Sequence, residues 1–298
     1  MHATIAIPTY NRADWIGESL DSIFELTVPA GLSVDLVVVD NNSTDDTAAV
    51  VDRRIAASPF PMRRVFEEQQ GLCFGRNRAL AEARGEHLIL LDDDISVGRD
   101  WLVGYVAAVN EQQADCVVGP VFPRFLSQTP DYATESVLKK ISSGYSRKGD
   151  HPIVLPPETA HEVPGCNFGF RVEAGRAIDG FDPTLDRIGS QMLSGGDTDF
   201  GRRLAAAGRR TVYRPECRID HVIVPEKLTK PYLRKRAYGS GVTLARLRQR
   251  RVRWMPRLRE IRELIKLSGQ AACDRLLGRQ RAFESELLLR ERLGFYFQ

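Results

Sequence analysis

"VDLVVVDNNSTDDT", Val34 to Thr47, changes character at Asp40, where a β-branched apolar run stops at a carboxylate and short polar residues take over. The run is too continuous to keep one face in water, so it reads as a strand of a mostly parallel sheet covered on both sides. Upstream, "ATIAI" (Ala3 to Ile7), closed by Pro8, reads the same way. Between the two, Ile16, Leu20, Ile23 and Phe24 recur at helical spacing behind Asp14. Strand, helix and strand make one β-α-β unit.

The alternation continues. Ser43 and Thr44 are candidate caps for a helix through "TAAVVDRRIAA", and "RRVFE" is a third strand. "GRNRALAEA" is a third helix with Gly85 as its stop, and His87 to Leu91 is a fourth strand. Leu102, Val106 and Val109 mark a further helical face before "CVVGP". This order predicts a doubly wound α/β fold with a mostly parallel, Rossmann-like sheet over residues 1–120. Residues 121–226 then form a second half of the same domain, and 227–298 a basic helical extension. From Pro120 to Pro164 the periodicity fails, which predicts an irregular segment. Next, "VPGCNFGFRV" reads as a strand, "GGDTDFGRRLAAAG" as a helix ended by Gly208, and "RTVYRPECRIDHVIV" as two short strands around Pro215. After Leu228 the chain reads as helical, with interruptions near Pro256 and Gly269.

With 298 residues and 43% apolar composition, the chain can build a sizeable core without staples. Its five cysteines are scattered, odd in number and free of any CxxC, which excludes a disulfide framework and a zinc cage and suggests reduced thiols. The amino terminus has no secretory pattern, and no apolar run approaches the ~20 residues of a membrane span. A cytoplasmic protein is expected, with any membrane association peripheral.

The net charge of +3 hides an asymmetry: Lys227 to Gln298 holds 19 Lys and Arg against 6 Asp and Glu, a net +13, which leaves −10 for residues 1–226. In the tail, Leu258, Ile261, Leu264 and Ile265 line one side of a helix while Arg259, Arg262 and Lys266 fall largely on another. Such a helix suits either an anionic membrane surface on the cytoplasmic side or packing against the acidic body. Nucleic-acid binding through the Arg-rich tail is a rival reading, but aromatics are sparse there and the acidic body would repel phosphate.

Ligands of open α/β sheets bind beyond the carboxyl ends of the strands. Four polar clusters fall at such places: "PTYNR" (Pro8 to Arg12), "DNNSTDD" (Asp40 to Asp46), "GLCFGRNR" (Gly71 to Arg78) and "DDD" (Asp92 to Asp94). Three adjacent carboxylates repel one another and resist leaving water. A hard divalent cation such as Mg²⁺ or Mn²⁺ offsets both effects and commonly shares its shell with substrate phosphate; the alternative is a solvated acidic loop.

Together "IPTYNR", "VVVDNNSTDDT", "GLCFGRNRAL", "ILLDDD" and "GGDTDFGRRL" resemble, in order and spacing, the inverting family 2 glycosyltransferases of GT-A fold, over about Ala3 to His221. The resemblance implies that Pro8, Thr9, Tyr10, Asn11 and Arg12 line a nucleotide base, with Asn42 alongside and Asp40 accepting a hydrogen bond from the base. A carboxylate there suits the imide of uracil, which thymine shares, so the implied donor is a UDP-sugar or a dTDP-sugar. Gly71, Asn77 and Arg76 or Arg78 would face the diphosphate. In the aspartate triplet, Asp94 would hold Mn²⁺ or Mg²⁺ and Asp92 or Asp93 would contact the ribose. The cation would neutralise the departing nucleoside diphosphate. His221 resembles a histidine that completes the metal site in some relatives. "GGDTDF" resembles an acidic motif, usually Glu-Asp, whose aspartate is the general base. Here Gly196 stands where the glutamate would be, Asp197 is the better base, and Asp199 caps or orients, or reaches the sugar. Asn167 would touch donor sugar or acceptor, and Asp182 would order the loop. The acceptor would be a hydroxyl on a saccharide or a lipid-linked saccharide, as in cell-surface polysaccharide or glycolipid synthesis. A nucleotidyltransferase acting on sugar phosphates is a second rival, but it would show an early Gly-rich basic loop, and "IPTYNRADW" is not one.

Overall fold

The computed structural model describes residues 1–141, 147–185, 192–248, 258–279 and 281–297. Pro256 lies outside them. The chain divides into two compact units, one made of 1–124, 143–183 and 196–222, the other of 125–142, 184–195 and 223–298.

In the first unit β1 (His2–Thr9), β2 (Ser33–Asp40), β3 (Met62–Phe66) and β4 (His87–Leu91) run parallel. After them come β5 (Ile95–Val97), β6 (Cys116–Val118), β7 (Val121–Phe125), β8 (Ile153–Val154), β9 (Asn167–Arg171), β10 (Thr211–Tyr213) and β11 (Ile219–Ile223). Among the described residues, eight strands form the main sheet in the order β3-β2-β1-β4-β9-β6-β10-β8, and β5-β11-β7 form a smaller one. The main sheet is mixed, because β9 lies antiparallel between β4 and β6.

Alternation along each strand divides the core. Ile5, Ile7, Leu36, Val38, Ile89 and Leu91 face one apolar layer, and Ala6, Val37, Val39, Leu88 and Leu90 face the other. The first layer is closed by α1 (Ile16–Phe24) and α4 (Trp101–Glu111), and the second by α3 (Leu72–Glu82) and α7 (Gly196–Ala206). Covering both faces is what makes the strand sequences continuously apolar. In the second layer Phe168, Phe170, Phe181 and Phe200 form one cluster, with the Phe181 and Phe200 rings stacked at 4.2 Å.

Several sequence expectations need correction. Ser43 and Thr44 lie ahead of α2 (Thr47–Ile55) and do not cap it; their polar groups tie the preceding loop to Asn11 and Asp40. The stretch expected to be irregular contains β7, α5 (Glu135–Ile141) and β8. A short α6 (Val172–Ala177) follows β9 directly. Gly269 does not interrupt a helix; it sits inside one.

The second unit is built from α5, α8 (Lys230–Leu247), α9 (Leu258–Leu276) and α10 (Ala282–Tyr296). The α8–α10 crossing requires glycine, since a β-carbon at Gly241 would fall 1.8 Å from the Glu291 carbonyl oxygen and one at Gly294 2.0 Å from that of Tyr238. Among the described residues no helix is long and apolar enough to cross a membrane.

Candidate active site

The site forms where β1, β2 and β4 end side by side. Thr9 and Asp40 are register partners on β1 and β2, and β4 flanks β1 on its other edge. Asp40 is buried; its Oδ1 accepts the Ser43 N–H at 3.0 Å, and its Oδ2 lies 3.5 Å from Arg64 Nη1. Asn11 and Asn42 both adopt positive φ, of 51° and 67°, so the two loops turn sharply beside each other. Tyr10 remains 42% exposed at this edge, and Pro8 is buried.

Asn42 is exposed, and the neighbouring Asn41 carries the structure instead. Its side chain donates to the carbonyls of Gln69 at 2.7 Å and Glu67 at 3.3 Å, and accepts the Gly71 N–H at 2.8 Å. Gly71, with φ 146°, turns the chain into α3.

The aspartate triplet links β4 to β5. Arg12 Nε donates to Asp93 Oδ1 at 3.2 Å, and its Nη2 lies 3.9 Å from Asp94 Oδ2. His221 enters on β11, which pairs antiparallel with β5, and its Nε2 lies 3.1 Å from Asp94 Oδ1. Ligand atoms of Asp92, Asp94 and His221 lie within 4.8 Å of one another. Burial, reinforced by the Asp94 charge, raises the Asp93 pKa despite Arg12. Burial also opposes the Arg12 charge, but Asp93, Asp94 and Asp92 outweigh it and hold the guanidinium more firmly protonated. The backbone of the triplet is fixed from behind by Ser19 of α1, whose buried Oγ lies 2.8 Å from the Asp93 carbonyl and accepts the Ile95 N–H at 3.0 Å.

A third group gathers at the amino end of α7. Arg76 is buried, lies over the Phe181 ring and donates to the Gly165 carbonyl at 2.6 Å. A β-carbon on Gly165 would fall 2.3 Å from Asp197 Oδ2 and 2.8 Å from Arg76 Nη2, so the three pack in direct contact. Asp197 Oδ1 accepts the Thr198 N–H. Arg78 points elsewhere and pairs with Glu82 at 2.9 Å.

Three anticipated residues are engaged internally. Asn167 is fully buried; its amide accepts from Trp101 Nε1 at 2.7 Å and donates to the carbonyls of Cys217 and Pro120. Asn77 pairs with the backbone N–H and carbonyl of Phe181. Asp199 binds Arg203 at 2.6 Å, and Arg203 in turn holds the carbonyls of Ile178 and Gly180. Sequence reasoning missed Ser19, Asn41 and Gly165. Asn41 stood inside the polar cluster "DNNSTDD", and Ser19 was a polar residue on the face that Ile16, Leu20 and Ile23 define; Gly165 carried no comparable signal.

Two carboxylates and a histidine suit Mn²⁺ or Mg²⁺ in their donor chemistry. The fit is supported by His221 Nδ1, a buried polar atom without a hydrogen-bond partner among the described residues.

A mixed, mostly parallel sheet with polar clusters beyond its strand ends is the architecture of GT-A glycosyltransferases, and solved structures of that fold superpose on this chain. Staphylococcus aureus TarS 1-349 with UDP-GlcNAc is 18% identical with a TM-score of 0.57, over 83% of this chain and 71% of that one. The mannosyltransferase PcManGT of Pyrobaculum calidifontis, solved with GDP-Man and Mn²⁺, is 22% identical with a TM-score of 0.57, over 82% and 62%. The chain belongs to Glycosyl transferase family 2, whose profile matches residues 4–178, and is a nucleotide-sugar-dependent glycosyltransferase. Among curated proteins it is 27% identical to the succinoglycan biosynthesis protein ExoM of Rhizobium meliloti, over 83% of this chain and 75% of ExoM. It is 21% identical to the glucosyl-dolichyl phosphate glucuronosyltransferase of Haloferax volcanii, over 81% and 75%. The chain spans 43% of the longer TarS chain in another solved structure.

Proposed function

We propose that this protein transfers a sugar from a UDP-sugar, or a dTDP-sugar, to a saccharide hydroxyl with inversion at the anomeric carbon. The observation that carries the reading is the convergence of Asp92, Asp94 and His221 within 4.8 Å beside the strand end that presents Asp40. Asp40 accepts the imide N–H of the base, and Tyr10 supplies an exposed aromatic face for it. Asp94 and His221, with Asp92, hold Mn²⁺ or Mg²⁺. When bound, that cation neutralises the charge of the departing diphosphate. Asp93 stays with Arg12.

Asp197 is the general base. It takes the acceptor proton as the hydroxyl oxygen attacks from the face opposite the leaving group, a contribution of about 10² to 10⁴-fold. Arg76, buried against the Gly165 carbonyl, brings a fixed positive charge to the same place. The names of ExoM and of the Haloferax enzyme point to polysaccharide and lipid-linked saccharide acceptors, and we assign this chain the same acceptor class.

The test is release of nucleoside diphosphate from a panel of nucleotide sugars with Mn²⁺ present. Asp94→Ala and Asp197→Asn should each abolish turnover, and Asp197→Asn should leave nucleotide binding intact. Turnover indifferent to both changes refutes the assignment.

A further inference from the structure

In α9 the apolar residues do not share one side as the sequence suggested: Leu264 packs inward on Ala245, Phe295 and Tyr296, while Leu258 and Ile265 face outward. The three acidic residues of the helix face inward. Glu260 is buried, Glu263 accepts from the Tyr296 hydroxyl and pairs with Arg292, and Asp274 is fully buried. Gln270 foremost, with Ser285, Arg279 and Arg281, hydrogen-bonds the Asp274 carboxyl and holds it well below the ordinary carboxylate range.

The outward face is apolar. At 100° per residue Leu258, Ile265, Gly269, Ala272 and Leu276 fall within one narrow stripe, and all five are exposed. Leu258 is 78% exposed, Ile265 66% and Leu276 87%. Arg262 lies within this stripe, and Arg259 and Lys266 flank it. None of these three cations has an acidic partner among the described residues. Spread over 19 residues, the stripe is about 28 Å long at the helical rise.

An aqueous surface would favour the opposite distribution, with leucines inward and carboxylates outward. Large aliphatic side chains beside unpaired cations, with every acid turned away, match the region of an anionic bilayer where acyl chains meet phosphate headgroups. We propose that α9 is a membrane-docking helix. It lies in the plane of an anionic lipid surface, with Leu258, Ile265 and Leu276 inserted and Arg259, Arg262 and Lys266 against lipid phosphates. The proposal uses none of the residues assigned to catalysis, so it stands or falls apart from them.

The full chain is sedimented with vesicles of phosphatidylglycerol and phosphatidylcholine, and with vesicles of phosphatidylcholine alone. It should pellet with the first, be released as salt rises, and stay in solution with the second. Arg262→Glu with Lys266→Glu should weaken binding at least about tenfold, and Ile265→Glu with Leu276→Glu should abolish it. Arg99→Glu, an exposed change in the other unit, should alter neither. Unchanged circular dichroism and melting show that the variants are folded. Failure of the wild type to pellet, equal binding to neutral vesicles, or wild-type binding by the folded double variants overturns the proposal. So does a lipid-independent dimer that Ile265→Glu dissociates, because a second copy would then cover the face.

Discussion

A β-carbon placed on Gly196 would fall 2.5 Å from the Cys73 Sγ. Gly196 stands where the resembled motif leads one to expect glutamate, and the buried Cys73 thiol fills the space that a side chain there would need. Gly196→Ala should therefore destabilise the fold by about 1–3 kcal/mol, as overpacking does. Adding Cys73→Ala should recover most of that loss. Thermal melts of the two single variants and the double variant check this coupling.

Gly165 makes the same argument at the proposed base. Alanine there would collide with Asp197 Oδ2 and Arg76 Nη2, both side-chain ends rather than backbone. We expect Gly165→Ala to fold with melting lowered only modestly. Side-chain ends can yield where backbone cannot, although Arg76 is buried and bonded to the Gly165 carbonyl. Turnover should fall by roughly 10²-fold or more as the base leaves its position. Steady-state kinetics beside a thermal melt separates the two effects.

Ser19→Ala should remove the clamp behind the aspartate triplet. The loss leaves a buried Ile95 N–H unpaired and should cost about 1–3 kcal/mol. Mn²⁺ dependence of turnover should shift to higher concentration, because the triplet backbone is no longer held. A metal titration of the variant reads this directly.

His87 supplies a pH signature. Burial foremost, with the Arg171 charge, lowers its pKa from 6.5 to about 4, and its Nδ1 lies 2.9 Å from the Tyr105 hydroxyl. The unfolded chain therefore takes up this proton first as pH falls. The contribution of a neutral His87 is complete above pH 6.5, declines between 6.5 and about 4, and is constant below. His87→Gln should lack that component, so the stability gap between variant and wild type should narrow across this window. Denaturant melts at pH 7 and pH 4 measure it.

The parallel core was legible because both faces of β1, β2 and β4 are covered, which writes an unbroken apolar run into each. The direction of β9 was not, since "NFGFR" alternates identically whichever way it pairs. The four polar clusters were visible as interruptions of that pattern at strand ends. The ion pair of Arg12 with Asp93 was not, because two residues so far apart in sequence carry no local mark of each other. Asn77 and Asn167 show the same boundary from the other side. An amide that meets a backbone carbonyl and one that meets a substrate look alike until the neighbours are known.

Strand β9 also ties the two parts of the proposed site together. The residues proposed to face the nucleotide lie within residues 8–94, whereas Asp197 and His221 come after β9 in the chain. β9 sits between β4 and β6 in one sheet, and a domain folds as a unit. The carboxylates at the end of β4 therefore gain His221 and the proposed base in the same folding event, so neither part of the site is built without the other.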